Sequence, residues 1–91
     1  MQRNYYVANQ HYYLWVKSTC PFCVEAQSDL LQRMKSHTIH VMDEKLEELE
    51  EVKKLWNHST VPIVVVQEDD EETFIGGCTD LKEWLKTEDE K

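Results

Sequence analysis

Apolar residues fall into runs whose spacing changes several times along the chain, and each change marks an element. Residues 11–16, HYYLWV, are aromatic and β-branched at successive positions, and the run stops where Ser18, Thr19 and Pro21 bring turn and cap chemistry. That pattern predicts a strand covered on both faces and feeding a helix. From Pro21 the spacing shifts to three and four, placing Cys23, Ala26, Leu30 and Met34 on one helical face down to about Ser36. Proline suits the first turn, where its missing N–H has no helical partner to lose, and Thr19 or Cys20 falls at the cap.

Residues 38–43, TIHVMD, set Ile39 and Val41 against Thr38, His40 and Met42, as in a half-covered strand near a sheet edge. Asp43 can cap the next helix, in which Leu46, Leu49, Val52 and Trp56 make the apolar stripe and Glu50 and Lys54 lie four apart on the wet side. In residues 59–67, Pro62 precedes four β-branched residues, as expected of an interior strand whose proline stands before the ladder. The acidic run 68–72 then loops into a short antiparallel strand, 73–75. After Gly76 and Gly77, Asp80 with Glu83 three residues on gives a capping pattern for a last helix with Leu81, Trp84 and Leu85 inward. The predicted class is α/β with the order β-α-β-α-β-β-α and a four-stranded mixed sheet flanked by helices. The two continuous apolar strands are central and the other two lie at the edges.

Bulk properties narrow the possibilities. Ninety-one residues make one small domain, in which about 60 to 65 % of the unfolded surface is buried. We divide the chain into an extension at 1–10, a domain at 11–86 and a tail at 87–91. With 41 % hydrophobic and 31 % charged residues it reads as globular. The net charge of −8 and the lack of a basic run argue against nucleic acid. No apolar stretch suits a secretory signal or a membrane span, so the expected setting is cytoplasmic and away from membranes. In such a reducing compartment three cysteines do not make a disulfide framework, and a close pair points to metal or redox chemistry. The acidic excess of the middle segment reads as a solvated helix face.

The pair is Cys20 and Cys23, in KSTCPFC. Both prolines and both glycines of the chain lie in loops entering or leaving the sheet at the end where this pair sits. Unpaired amides and the positive end of the helix dipole favour a thiolate at Cys20, and Lys17 adds a nearby cation. Cys23, one turn on and facing the core, is expected to be shielded and to stay protonated, so Cys20 attacks and Cys23 resolves. A structural zinc would need a second ligand pair, which neither Cys78 nor His58 supplies at ligand spacing, and no metal is expected. His11, His37, His40 and His58 read as surface or edge-strand residues, and Tyr5, Tyr6, Tyr12 and Tyr13 as packing residues.

From about His11 to Leu85 the sequence resembles a dithiol glutaredoxin of the thioredoxin superfamily. Three separated pieces carry the resemblance: KSTCPFC, TVP at 60–62 and GGCTD at 76–80. It implies a thioredoxin-like fold and a glutathione-dependent thiol–disulfide oxidoreductase. In such an enzyme Cys20 attacks a protein disulfide or a glutathione mixed disulfide, Cys23 resolves, and glutathione serves as co-substrate. It further implies a cis Pro62 that presents the Val61 backbone to the cysteinyl part of glutathione. Lys17 would face the glycine carboxylate. The amides of Cys78 and Thr79, with the Asp80 side chain, would hold the γ-glutamyl end, as amides at a helix start suit a carboxylate and Asp80 suits an ammonium. Phe22, Thr60 and Gly77 complete the implied set.

Phe22 stands where the family most often has tyrosine, which keeps an aromatic wall and loses a hydroxyl. Each residue also has a plainer role to set beside this: Lys17 as a solvated strand end, Asp80 as a helix cap, Cys78 as a regulatory thiol or simply a small residue beside the ligand. Implied partners are glutathione and disulfide-bearing or glutathionylated proteins such as a ribonucleotide reductase, met by a monomer. Two rival readings are an iron–sulfur cluster carried between two chains and a thioredoxin-type electron donor. Proline after the first cysteine disfavours the cluster, and the absence of CGPC disfavours the other. The acidic 68–74 stretch is expected to repel acidic protein substrates.

Overall fold

The computed structural model describes residues 10–89. Tyr5 and Tyr6, and all of the expected extension except Gln10, lie outside that range. Seven elements follow the predicted order: β1 (Gln10–Val16), α1 (Pro21–Gln32), β2 (His37–Val41), α2 (Leu46–Trp56), β3 (Ile63–Glu68), β4 (Glu71–Gly76) and α3 (Cys78–Asp89). They form one sheet in the order β2-β1-β3-β4, so the two apolar strands are central, as expected. β1 runs parallel to β2 and antiparallel to β3, and β3 and β4 form a hairpin.

Helices α1 and α3 cover one face. Cys23, Ala26 and Leu30 from α1 and Cys78, Leu81 and Leu85 from α3 bury with Tyr12, Leu14, Val16, Val64 and Val66 of the central strands. Helix α2 covers the other face through Leu49, which meets Ile63 and Met42, with Trp15, Val52, Trp56 and Phe74 around them. Ile63 to Val66 are buried throughout, which explains why β3 reads as an unbroken apolar run. In β1 Gln10, Tyr12, Leu14 and Val16 are buried, while His11, Tyr13 and Trp15 on the α2 side are half-buried, so this strand is not covered on both faces as expected. The Tyr12 hydroxyl accepts from the Trp84 indole at 2.9 Å, tying α3 to the sheet.

Several boundaries differ from the sequence reading. Helix α1 stops at Gln32, where Lys35 N–H closes on the Leu30 carbonyl at 2.9 Å. Met34 takes φ 56° and is 91 % exposed, so it is not part of the apolar face. In β2, Val41 faces out and Met42, just past the strand, is the buried residue. Asp43 does not cap α2, because both its oxygens are taken by Ser18 and Lys45 occupies the cap position without a side-chain bond. The β3–β4 connection is a tight turn at Asp69 and Asp70, with Asp69 at φ 56°, rather than a five-residue loop. It sits at the far end of β3 from Pro62, about 23 Å away at ~3.3 Å per residue. Helix α3 begins at Cys78, two residues before Asp80, and runs on through Thr87 to Asp89.

Candidate active site

Between β1 and α1, residues 17–20 make a turn closed by Cys20 N–H on the Lys17 carbonyl at 3.2 Å. The turn delivers Cys20 to the N-cap of α1, with extended backbone at φ −94° and ψ 113°, and puts Pro21 at the helix start. A helix start has amides with no partner inside the helix. Here the Cys23 N–H donates to Cys20 Sγ at 3.2 Å, so a sulfur does the work that a serine or aspartate oxygen does at most caps.

The two thiols, both reduced here, differ as their positions require. Cys20 is half-buried, and Cys23 is 2 % exposed in the core between α1 and the sheet. Burial pushes the Cys23 thiol up to about 12, reinforced by its contact with Cys20, while the Lys17 backbone pulls the other way. Cys23 therefore holds its proton at neutral pH.

Opposite Cys20 the Val61–Pro62 peptide is cis. The Val61 carbonyl lies 3.8 Å from Cys20 Sγ. Beyond it opens a cleft of about 330 Å³ lined by Phe22, His58, Thr60, Val61, Pro62, Gly77, Cys78, Thr79 and Asp80. Eight of the nine residues in the implied glutathione set are thus brought together. Lys17 is the exception: it is half-buried at the end of β1 and its charge acts on Asp43.

The α3 end of the cleft is built by its first turn. Gly77 accepts the Leu81 N–H at 2.9 Å, and the Asp80 carboxylate reaches back to the Gly77 N–H at 3.0 Å. Asp80 is therefore the returning half of a capping pair and not the opening cap. Cys78, at 6 % exposure, is a shielded residue of the cleft wall, and burial followed by the Glu25 carboxylate pushes its thiol up. Glu25, Asp29 and Cys78 bring three potential ligand atoms within 4.8 Å of one another. Lys82 already sits on both carboxylates, at 2.7 Å and 3.0 Å, so the cluster is a link between α1 and α3.

His58 is the lining residue the sequence did not single out. Its Nε2 and Thr60 Oγ1 share a hydrogen bond at 3.2 Å, and its ring stands edge-on to Phe74 at 5.4 Å, which in turn stacks on Trp56 at 5.5 Å. Asn57 in the left-handed conformation turns the chain there. Asparagine after an apolar stripe was the available signal for that turn, but nothing local to His58 says which way its ring points.

The Glutaredoxin family model matches residues 12–71, which is 60 of the 91 residues. A dithiolic glutaredoxin from Trypanosoma brucei brucei is 34 % identical, with a TM-score of 0.66 over 84 % of this chain and 77 % of its own. A wheat glutaredoxin is 26 % identical, with a TM-score of 0.69 over 84 % and 69 %. Glutaredoxin 1 from Francisella tularensis, at 24 % identity and a TM-score of 0.65 over 90 % and 99 %, shares the fold. No curated protein matches the chain. The mixed sheet with three helices is the thioredoxin-like fold of these structures, and the paired cysteines sit as a dithiol site does. By family model, sequence identity and fold together, the chain belongs to the glutaredoxin family of glutathione-related thiol oxidoreductases.

Proposed function

We propose that this protein reduces glutathione mixed disulfides and protein disulfides through Cys20 and Cys23, with glutathione as co-substrate. The observation that carries the reading is the inequality of the two sulfurs: Cys20 Sγ rests on the Cys23 amide beside the carbonyl of cleft-lining Val61, and Cys23 is buried and protonated. In deglutathionylation the Cys20 thiolate attacks the glutathione sulfur of a mixed disulfide. A Cys20–glutathione disulfide forms and the protein thiolate leaves. A second glutathione thiolate then attacks the bound glutathione sulfur, releasing glutathione disulfide and restoring the Cys20 thiolate.

With a protein disulfide, attack by Cys20 leaves one protein thiolate and a Cys20–protein disulfide. The leaving thiolate is the natural acceptor for the Cys23 proton, after which Cys23 attacks Cys20 Sγ and frees the second protein thiol. Two glutathiones reduce the resulting Cys20–Cys23 bridge. The dithiol potentials of this family, about −200 to −230 mV, make glutathione a workable reductant.

The cleft chemistry supports glutathione as the ligand. The Val61 backbone offers strand-like pairing to its cysteinyl unit. The Cys78 and Thr79 amides at the start of α3, beside the Asp80 carboxylate, suit an α-carboxylate and an ammonium. Lys17 takes the glycine carboxylate in this reading, Phe22 gives an apolar wall, and Thr60, Pro62 and Gly77 complete the contour. We place the protein in the reducing cytoplasm, acting as a monomer on glutathionylated or disulfide-bearing proteins, ribonucleotide reductase being one candidate.

The test is turnover coupled to glutathione reductase. Cys20→Ser abolishes activity on both substrate types, whereas Cys23→Ser keeps deglutathionylation and loses protein-disulfide reduction. Retained turnover in Cys20→Ser refutes the assignment.

A further inference from the structure

The turn that delivers Cys20 is gripped by a carboxylate the chemistry above does not use. Ser18 is the second residue of that turn. It donates its backbone N–H to Asp43 Oδ1 at 3.0 Å and its hydroxyl to Asp43 Oδ2. Both oxygens of one side chain therefore hold one residue, two positions before Cys20 and 25 positions away in sequence. Asp43 is itself seated by the sheet: Val16 pairs with Val41, and Met42 N–H donates to the Val16 carbonyl at 2.8 Å. The two Ser18 bonds, aided by the Lys17 charge, hold the Asp43 carboxyl below the usual carboxylate range, so the grip is ionic at neutral pH. Helix α2 gives up a capping aspartate in consequence.

We propose that Asp43 is a positioning residue for Cys20: by clamping Ser18 it fixes the 17–20 turn and so keeps Cys20 Sγ on the Cys23 amide. The inference rests on the reading of Cys20 as the nucleophile. Without the clamp the turn samples other shapes, and the contact at 3.2 Å that seats the Cys20 sulfur for attack is formed for less of the time.

Wild type, Asp43→Ala, Asp43→Asn and Ser18→Ala, each as the full chain, are compared in two ways. The first is the rate of alkylation by iodoacetamide at neutral pH without glutathione, with the adduct located on Cys20 by peptide mass. The second is kcat and KM in glutathione-dependent turnover. Asp43→Ala slows Cys20 alkylation about three- to tenfold and lowers kcat by a similar factor, while KM for glutathione stays within about twofold. Asp43→Asn keeps an oxygen for the Ser18 amide and retains about half the wild-type rate or more. Ser18→Ala slows the reaction less than Asp43→Ala, and the double variant is no slower than Asp43→Ala alone.

A pure charge effect runs the other way, since an anion near a thiol disfavours its ionisation and its removal would speed alkylation. Asp43→Ala alkylating as fast as wild type, or faster, overturns the proposal. If Asp43→Ala melts below the assay temperature, Ser18→Ala decides, and a wild-type alkylation rate there overturns it equally. A wild type that alkylates at Cys20 but shows no glutathione turnover overturns the functional reading, and the alkylation series still judges Asp43.

Discussion

Gly76→Ala is the substitution whose outcome the structure constrains most closely. Gly76 ends β4 at φ 126°, and a Cβ there would stand 2.3 Å from Asp80 Oδ2, 2.8 Å from its Cγ and 2.9 Å from its Cβ. Turning the Asp80 carboxylate aside relieves the first two contacts but not the third, so the first turn of α3 must shift as well. Backbone strain at such a φ costs about 1–3 kcal/mol. Losing the Asp80 bond to the Gly77 N–H adds about 1 kcal/mol. The lower entropy of an unfolded alanine offsets about 0.4–1 kcal/mol. The net is a loss of about 1–3.5 kcal/mol, or a Tm lower by about 5–25 °C for a domain of this size.

The assay is thermal unfolding of the reduced protein by circular dichroism, with Gly77→Ala in parallel. There the nearest atoms to an added Cβ, His58 Nε2 and the Pro62 carbonyl, are both at 3.7 Å, an ordinary contact. Gly77→Ala should therefore cost less than about 1 kcal/mol and act chiefly by narrowing the cleft. A Gly76→Ala protein melting within about 2 °C of wild type, or less perturbed than Gly77→Ala, refutes the reasoning.

Two further outcomes follow from charge and protonation. With its thiol raised from 9.0 to about 12, Cys23 keeps its proton in the folded chain over a range where the unfolded chain releases it. Its contribution to stability is complete below pH 9.0 and is lost as the pH rises toward about 12. Melting temperatures from about pH 8 to about pH 11 should fall more steeply for wild type than for Cys23→Ser, and parallel curves would count against a buried, protonated Cys23. Lys82 joins Glu25 and Asp29 of α1 to α3, and hydrogen bonds to both carboxylates, Glu25 first, raise its ammonium above the usual lysine range. Lys82→Met should lower Tm slightly at low salt and by less in about 1 M salt, as a screened ion pair requires; a salt-independent loss would point to packing instead.

Strand β3 was readable because burial on both faces leaves the run 63–66 no polar position, whereas β1, equally apolar in sequence, alternates buried and half-buried residues. Edges and ends were harder. The period set by Cys23, Ala26 and Leu30 continues arithmetically to Met34, yet the helix has already closed on a left-handed residue that carries no glycine to announce it. Asp43 looks like a cap by its place before an apolar stripe, and only the three-dimensional nearness of Ser18 shows another use for it. Asp80 was legible as capping chemistry, but not its direction, which depends on where the Gly77 carbonyl starts the ladder. The cleft was legible through its motifs, because eight of its nine lining residues fall within KSTCPFC, TVP and GGCTD. His58 was not, since a side chain placed by packing on Phe74 leaves no mark in the spacing.

The tight acidic turn at Asp69 and Asp70 separates two properties that a net charge of −8 seemed to join. Acidic charge lies at one end of the β3–β4 hairpin and the cleft at the other, with the buried ladder from Val64 to Val66 between them. An affinity handle or a fluorophore grafted between Asp69 and Asp70 would thus ride on the molecule without entering the cleft.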